Sequence, residues 1–190
     1  MDSRAIAIIV AVIVVVAVAA VFFALRRRRT EALRRRFGPE YERIARQNGP
    51  HRADAILAER ERRVEKFPLR RLAADERERF ITEWRTIQAH FVDDPAGAVT
   101  DADLLVGRVM EARGYPVGNF EQRAADISVD HPRVVENYRA AHEIALRHRN
   151  GGASTEDLRN AMIYYRSLFD DLLDTSTMGP VATPIRREVA

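Results

Sequence analysis

Seven arginines within eleven residues form the densest patch of one chemistry in the chain: Arg26, Arg27, Arg28, Arg29, Arg34, Arg35 and Arg36, opposed only by Glu31. Guanidinium groups are permanently charged forks matched to phosphate oxygens, so such a cluster attracts anionic lipid headgroups or nucleic acid. No aromatic side chain interleaves the arginines to stack on bases. Residues 37–190 carry 23 bases against 26 acids, a net charge of −3. The basic character therefore belongs to residues 26–36, net +6, and not to a basic face on a fold, so no nucleic-acid partner is expected. A second concentration comprises Glu121, Asp126, Asp130, His131 and His142. Asp126 and Asp130 are spaced i,i+4, which on a continued helix puts both carboxylates on one face, able to hold a hard cation or to tune His131. The same residues also have a structural reading, with Asp130 capping a helix opened by Pro132 and Asp126 paired with Arg123.

Other chemistry is excluded residue by residue. There is no cysteine, hence no disulfide, thiolate metal site or cysteine nucleophile. The only lysine, Lys66, follows no glycine-rich loop, and neither G-x-G-x-x-G nor G-x-S-x-G occurs. The zinc-protease pattern begins at His142-Glu143 but has Leu146 where the second histidine is required. Carboxylate-bridged metal bundles use Glu-x-x-His, and the residues three before the five histidines are Asn48, Ile87, Ser128, Arg139 and Ala145. No catalytic residue and no cofactor is assigned.

Immediately before the arginines, residues 5–25 form an unbroken run of 21 apolar residues. As a helix this run is roughly 30 Å long, the thickness of a hydrocarbon core. Its fourteen non-alanine residues favour insertion by roughly 4–8 kcal/mol together. A cleaved signal peptide is the alternative, with Ala17-Val18-Ala19 as the cleavage motif. The single n-region arginine and the six apolar residues that follow Ala19 argue against it. A buried core helix is disfavoured by length. Positive charge after the run holds that end inside, predicting a single-pass inner-membrane anchor with a cytoplasmic C-terminal part and anionic headgroups beside the collar, worth ~1 kcal/mol per arginine.

Past residue 36 the periodicity is helical almost throughout. Helices are predicted over 40–47, 53–66, 74–92, 95–113, 119–127, 132–149 and 155–174, separated by glycine and proline breaks such as Phe37-Gly38-Pro39, Asn48-Gly49-Pro50 and Gly114-Tyr115-Pro116. Apolar seams are Phe80/Trp84/Ile87/Phe91, Val99/Ala102/Leu105/Val106/Val109/Met110, Val135/Tyr138/Ala141/Ile144/Ala145 and Leu158/Ala161/Met162/Tyr165/Leu168/Phe169/Leu172. Asn119 and Ser154 stand where N-caps belong. No strand-like alternation occurs, so the fold class is all-α: an N-terminal transmembrane helix (1–25), a basic juxtamembrane segment (26–36), an antiparallel helical bundle (37–174) and a disordered tail (175–190). Trp84 is expected in the core. Tyr115 and Phe120 flank a turn as a hydrophobic latch, and Tyr164 lies at a seam edge.

The segments RFGPEYERIARQNG (36–49), GYPVGNFEQRAADISVDHPRVVENYRAAHEIALRH (114–148) and ASTEDLRNAMIYYRSLFDDLL (153–173) resemble a family of uncharacterised, membrane-anchored bacterial proteins found largely in actinobacteria and acidobacteria. The resemblance covers the chain from the apolar run to Leu173 and implies a bacterial origin and a single-pass anchor. It brings no activity, substrate or catalytic residue. The resulting expectation is a non-enzymatic helical module at the inner membrane, with anionic lipid and a further protein as partners. The alternative is a metal-binding or enzymatic bundle built on Asp126, Asp130, His131 and His142.

Overall fold

The computed structural model describes residues 3–173, with side chains from Val12 onward. Among the described residues there are eight α-helices and no strand: α1 (Ser3–Phe37), α2 (Pro39–Asn48), α3 (Pro50–Val64), α4 (Ala74–His90), α5 (Pro95–Ala112), α6 (Phe120–Asp130), α7 (Val135–Arg149) and α8 (Thr155–Leu173). The chain divides into two compact units, Met1–Leu57 and Ala58–Ala190. The expected tail, 175–190, lies outside the described residues.

In the first unit, α1 runs without interruption from the apolar residues through all seven arginines. Residues 26–36 are therefore the last turns of the same helix and not a separate segment. The first part of the apolar run, 5–11, lies outside the residues whose side chains are described. From Val12 to Leu25 every side chain is exposed on all sides of the helix, Val15 at 67% and Phe23 at 65%. Among the described residues no helix is long and apolar enough to cross a membrane. Burial begins at the other end of α1, with Leu33 and Phe37, and continues through Tyr41, Ile44, Ala53 and Leu57. The turn between α1 and α2 places Gly38 at φ 47°, ψ −121°, backbone that a side chain disfavours. Pro39 then supplies the first-turn residue whose missing N–H costs nothing.

In the second unit, α7 packs on α8, α5 on both α7 and α8, α4 on α5, and α6 on α7. The links from α4 to α5 and from α7 to α8 are short, so each pair is antiparallel, and the unit is a helical bundle. The expected seams are its core: the α5 and α8 sets are buried throughout, and on α7 only Ala145 is half-buried. On α4, Trp84 and Ile87 are buried while Phe80 and Phe91 are only half-buried. The Trp84 ring stacks on Phe169 with centroids 4.8 Å apart.

The caps follow the chemistry of their residues. Asn119 accepts from the Gln122 N–H at 2.9 Å, Asp94 from the Gly97 N–H at 2.9 Å, and Ser154 and Asp157 bond each other's backbone N–H. Gly114, at φ 96°, ends the α5 region where a Cβ would stand 2.5 Å from the Pro68 carbonyl oxygen. Only glycine fits there, and the approach lets the Arg70 N–H reach the Arg113 carbonyl at 2.9 Å. Among the boundaries that differ from expectation, α3 runs over Pro50–Val64 rather than 53–66. Helix α6 continues to Asp130, and α7 starts at Val135 rather than Pro132, its N-cap Val134 contributing no side-chain bond. Asp130 is therefore the last residue of one helix and does not cap the next.

Candidate functional site

The arginine collar occupies the last turns of α1, and its members are all exposed. At 1.5 Å per residue, Arg26 to Arg29 lie about 2–6 Å past Leu25 and Arg34 to Arg36 about 14–17 Å past it. The two groups also differ in their partners. Arg27 pairs with Glu31 at 3.1 Å, both in water, and Arg26 donates to the His51 ring nitrogen Nδ1 at 2.8 Å. Arg34 lies over the Tyr41 ring at 5.1 Å, Arg36 over the Phe37 ring at 5.8 Å, and Arg35 donates to the Glu31 carbonyl at 3.3 Å. Arg34 and Arg36 thus make cation–π contacts within their own unit, and Arg26, Arg27 and Arg34 line a crevice of about 370 Å³. That crevice is flanked by Phe23, Thr30 and His51. Its acids are engaged: Asp54 accepts from Thr30 and, at 3.0 Å, from the Tyr41 hydroxyl, which burial pushes above its ordinary pKa.

The second expected cluster is not one site. Asp126 is buried, at 1% exposure, and accepts from Gln122 at 2.8 Å and Arg63 at 3.1 Å. Burial pushes its carboxyl up against those bonds. Arg123, its expected partner, instead approaches Asp103 at 3.6 Å. Asp130 accepts from the Tyr115 hydroxyl at 2.7 Å, and burial pushes that phenol up. His131, also buried, turns Nδ1 to Asp171. Beside them is Arg113, 2% exposed, which donates to the Leu172 carbonyl and feels both Asp130 and Asp171. This network ties the ends of α5, α6 and α8 together. His142 stacks on Phe120 with centroids 3.6 Å apart and planes 7° from parallel, and burial holds its pKa down. Glu121 pairs with Arg139 at 3.0 Å, exposed. Among the described residues no group of three or more His, Asp or Glu is arranged to hold a metal ion. Asp126, Asp130, His131 and His142, expected as one metal-binding or enzymatic region, each keep a different structural partner.

The aromatic latch also resolves differently. Tyr115 meets Phe67 edge-on at 6.4 Å, whereas Phe120 turns to His142 and to Tyr138 at 4.9 Å. Tyr164 is half-buried. Periodicity could not announce the Arg113 network, because its members come from three helices far apart in sequence. Arg113 gives no local signal of its own, since Arg108 and Glu111 stand in the same helix end as ordinary charged residues.

No family model matches the chain, and no curated protein or solved structure matches it. The family resemblance of the quoted segments therefore has no counterpart in these comparisons, and function rests on the geometry alone.

Proposed function

We propose that the chain is a single-pass, non-enzymatic membrane protein, held by residues 5–25 and oriented by its arginine collar, which presents its helical bundle to another protein on the cytoplasmic side of the inner membrane. The observation that carries this reading is the single helix α1. Its apolar stretch is unpartnered on every side from Val12 to Leu25, and charge begins at Arg26 without a break in the helix. Fourteen exposed apolar positions on one helix are costly in water and at ease in lipid.

The headgroup layer is about 5–7 Å deep on each side of the hydrocarbon. With Leu25 at the hydrocarbon edge, Arg26 to Arg29 fall at the depth of lipid phosphates and Arg34 to Arg36 fall beyond them. The crevice beside Arg26 and His51 would admit a phosphate, with Phe23 towards the acyl side.

The reading is tested by a topology reporter fused after Ala190. A cytoplasmic reporter is expected to be active in the wild type, and replacing Arg26 to Arg29 by glutamine is expected to yield a mixed orientation. Activity only of an export-dependent reporter overturns the orientation.

A further inference from the structure

In the first unit the corner between α2 and α3 comes back to the level at which the apolar stretch of α1 ends. Two bonds fix the register. Arg26 donates to Nδ1 of His51 at 2.8 Å, and the Thr30 hydroxyl donates to Asp54 at 2.5 Å. A step of four on α1 thus meets a step of three on α3, so α3 runs alongside α1 in the same direction, away from the apolar stretch. Helix α2 makes the return: Tyr41 near its start lies under the Arg34 guanidinium at 5.1 Å, and its ten residues cover about 15 Å. Asn48 to Arg52 therefore stand level with Arg26, and Pro50 lines the same crevice as Phe23. The corner is also basic. No acid occurs between Glu42 and Asp54. Arg43 is held by Glu40 at 2.8 Å, while Arg46, His51 and Arg52 are exposed.

Resting on the membrane reading of residues 5–25, we propose that this corner is a second headgroup contact, at which Arg26, His51 and Arg52 hold the phosphate of an anionic phospholipid. The membrane reading sets the depth of Arg26, and the bond from Arg26 to His51 carries that depth to the corner. A guanidinium only donates, so His51 accepts at Nδ1 and keeps its own proton at Nε2, a donor suited to a phosphate oxygen. Arg26 and Arg52 add charged forks of matching geometry. The acids that line the crevice are already engaged. Glu31 pairs with Arg27 at 3.1 Å, and Asp54 takes bonds from Thr30 and from the Tyr41 hydroxyl. Phe23 at the apolar end of the crevice favours a lipid over a soluble anion, since acyl chains lie on that side. The contact has a mechanical consequence. A lone spanning helix turns freely about its axis, whereas a grip to one side of it sets which face of the unit meets the bilayer.

The chain has no cysteine, so single labels report depth directly. Full chains with Val18→Cys, Arg35→Cys or Asn48→Cys, each carrying a fluorophore, are placed in nanodiscs of phosphatidylcholine and phosphatidylglycerol. A nitroxide quencher sits either deep in the acyl chain or at its top, beside the headgroup. The deep quencher is expected to act on the Val18 site and the shallow one on the Asn48 site. Neither is expected to reach the Arg35 site, about 15 Å past Leu25. Shallow-labelled phosphatidylglycerol is expected to quench the Asn48 site about three- to fivefold more than shallow-labelled phosphatidylcholine at equal mole fraction, the order of one arginine at an anionic surface. The double variant His51→Gln/Arg52→Gln is expected to lose that preference while the Val18 site stays quenched. An unquenched Val18 site overturns the anchor and the corner contact with it. A quenched Val18 site beside an unquenched Asn48 site overturns the corner contact alone. So do equal quenching by the two lipids and a preference that survives the double variant.

Discussion

The arginines of α1 and the arginine at the end of α5 are the same residue in opposite circumstances. Arg27 is 84% exposed and pairs with a half-exposed Glu31 one turn away. Arg113 is 2% exposed and lies among a backbone carbonyl, Asp130 and Asp171 contributed by two other helices. Coulomb attraction in water is weak and screened, so the first pair does little for the fold. Away from water, the second holds an arrangement in which removing one partner strands the rest. The comparison teaches where each charge acts: the collar makes its contacts at a surface open to water, and the interior network is spent on holding helix ends together.

The largest effect expected from breaking this contrast is at Arg113. Arg113→Leu leaves Asp130, Asp171 and the Leu172 carbonyl without their cation and is expected to cost about 3–5 kcal/mol in urea unfolding. Arg27→Ala is expected to leave the unfolding midpoint where it was. Equal effects would erase the distinction between the regions.

A smaller effect is expected at His142. Burial lowers its folded pKa below the unfolded 6.5, so the unfolded chain binds the proton more readily. Its contribution is present above pH 6.5 and is lost as pH falls below that value. His142→Phe keeps a flat ring against Phe120 and is expected to remove this part of the acid-side decline. A parallel decline in both proteins would show that the ring is not buried as described.

The smallest is at Glu76, an exposed-side counterpart. Arg70 grips it with two 2.7 Å bonds and the Ala73 N–H adds a third at 2.9 Å, holding its carboxyl at about 2, against an ordinary 4.5. Its contribution is present above pH 4.5 and disappears as pH falls towards 2. Glu76→Gln is expected to shallow the pH dependence in that window alone, read from thermal unfolding at a series of acidic pH values. A curve that matches the wild type there would show that the grip of Arg70 adds nothing.

The sequence shows much of the scaffold and little of the interior chemistry. The α5 and α8 seams are legible because Val99 to Met110 and Leu158 to Leu172 repeat at helical spacing, and each such residue is buried. Asn119 and Ser154 are legible because a cap acts on a backbone group only three residues away. Asp130 misleads for a related reason: the Asp before His-Pro has the local form of a cap, yet the helix behind it continues and Tyr115 takes its carboxylate. The pairing of Asp103 is not legible at all: on α5 it has the look of an ordinary solvent-facing acid until Arg123 of α6 comes to within 3.6 Å of it.

The membrane reading is tested most directly by alkaline carbonate extraction of membranes carrying the full chain, compared with a chain lacking residues 5–25. The account predicts that the full chain stays in the pellet, the deletion passes to the supernatant, and the Arg26-to-Arg29 glutamine variant stays in the pellet, since the collar orients but the apolar run holds. A full chain released by carbonate would contradict the anchor on α1.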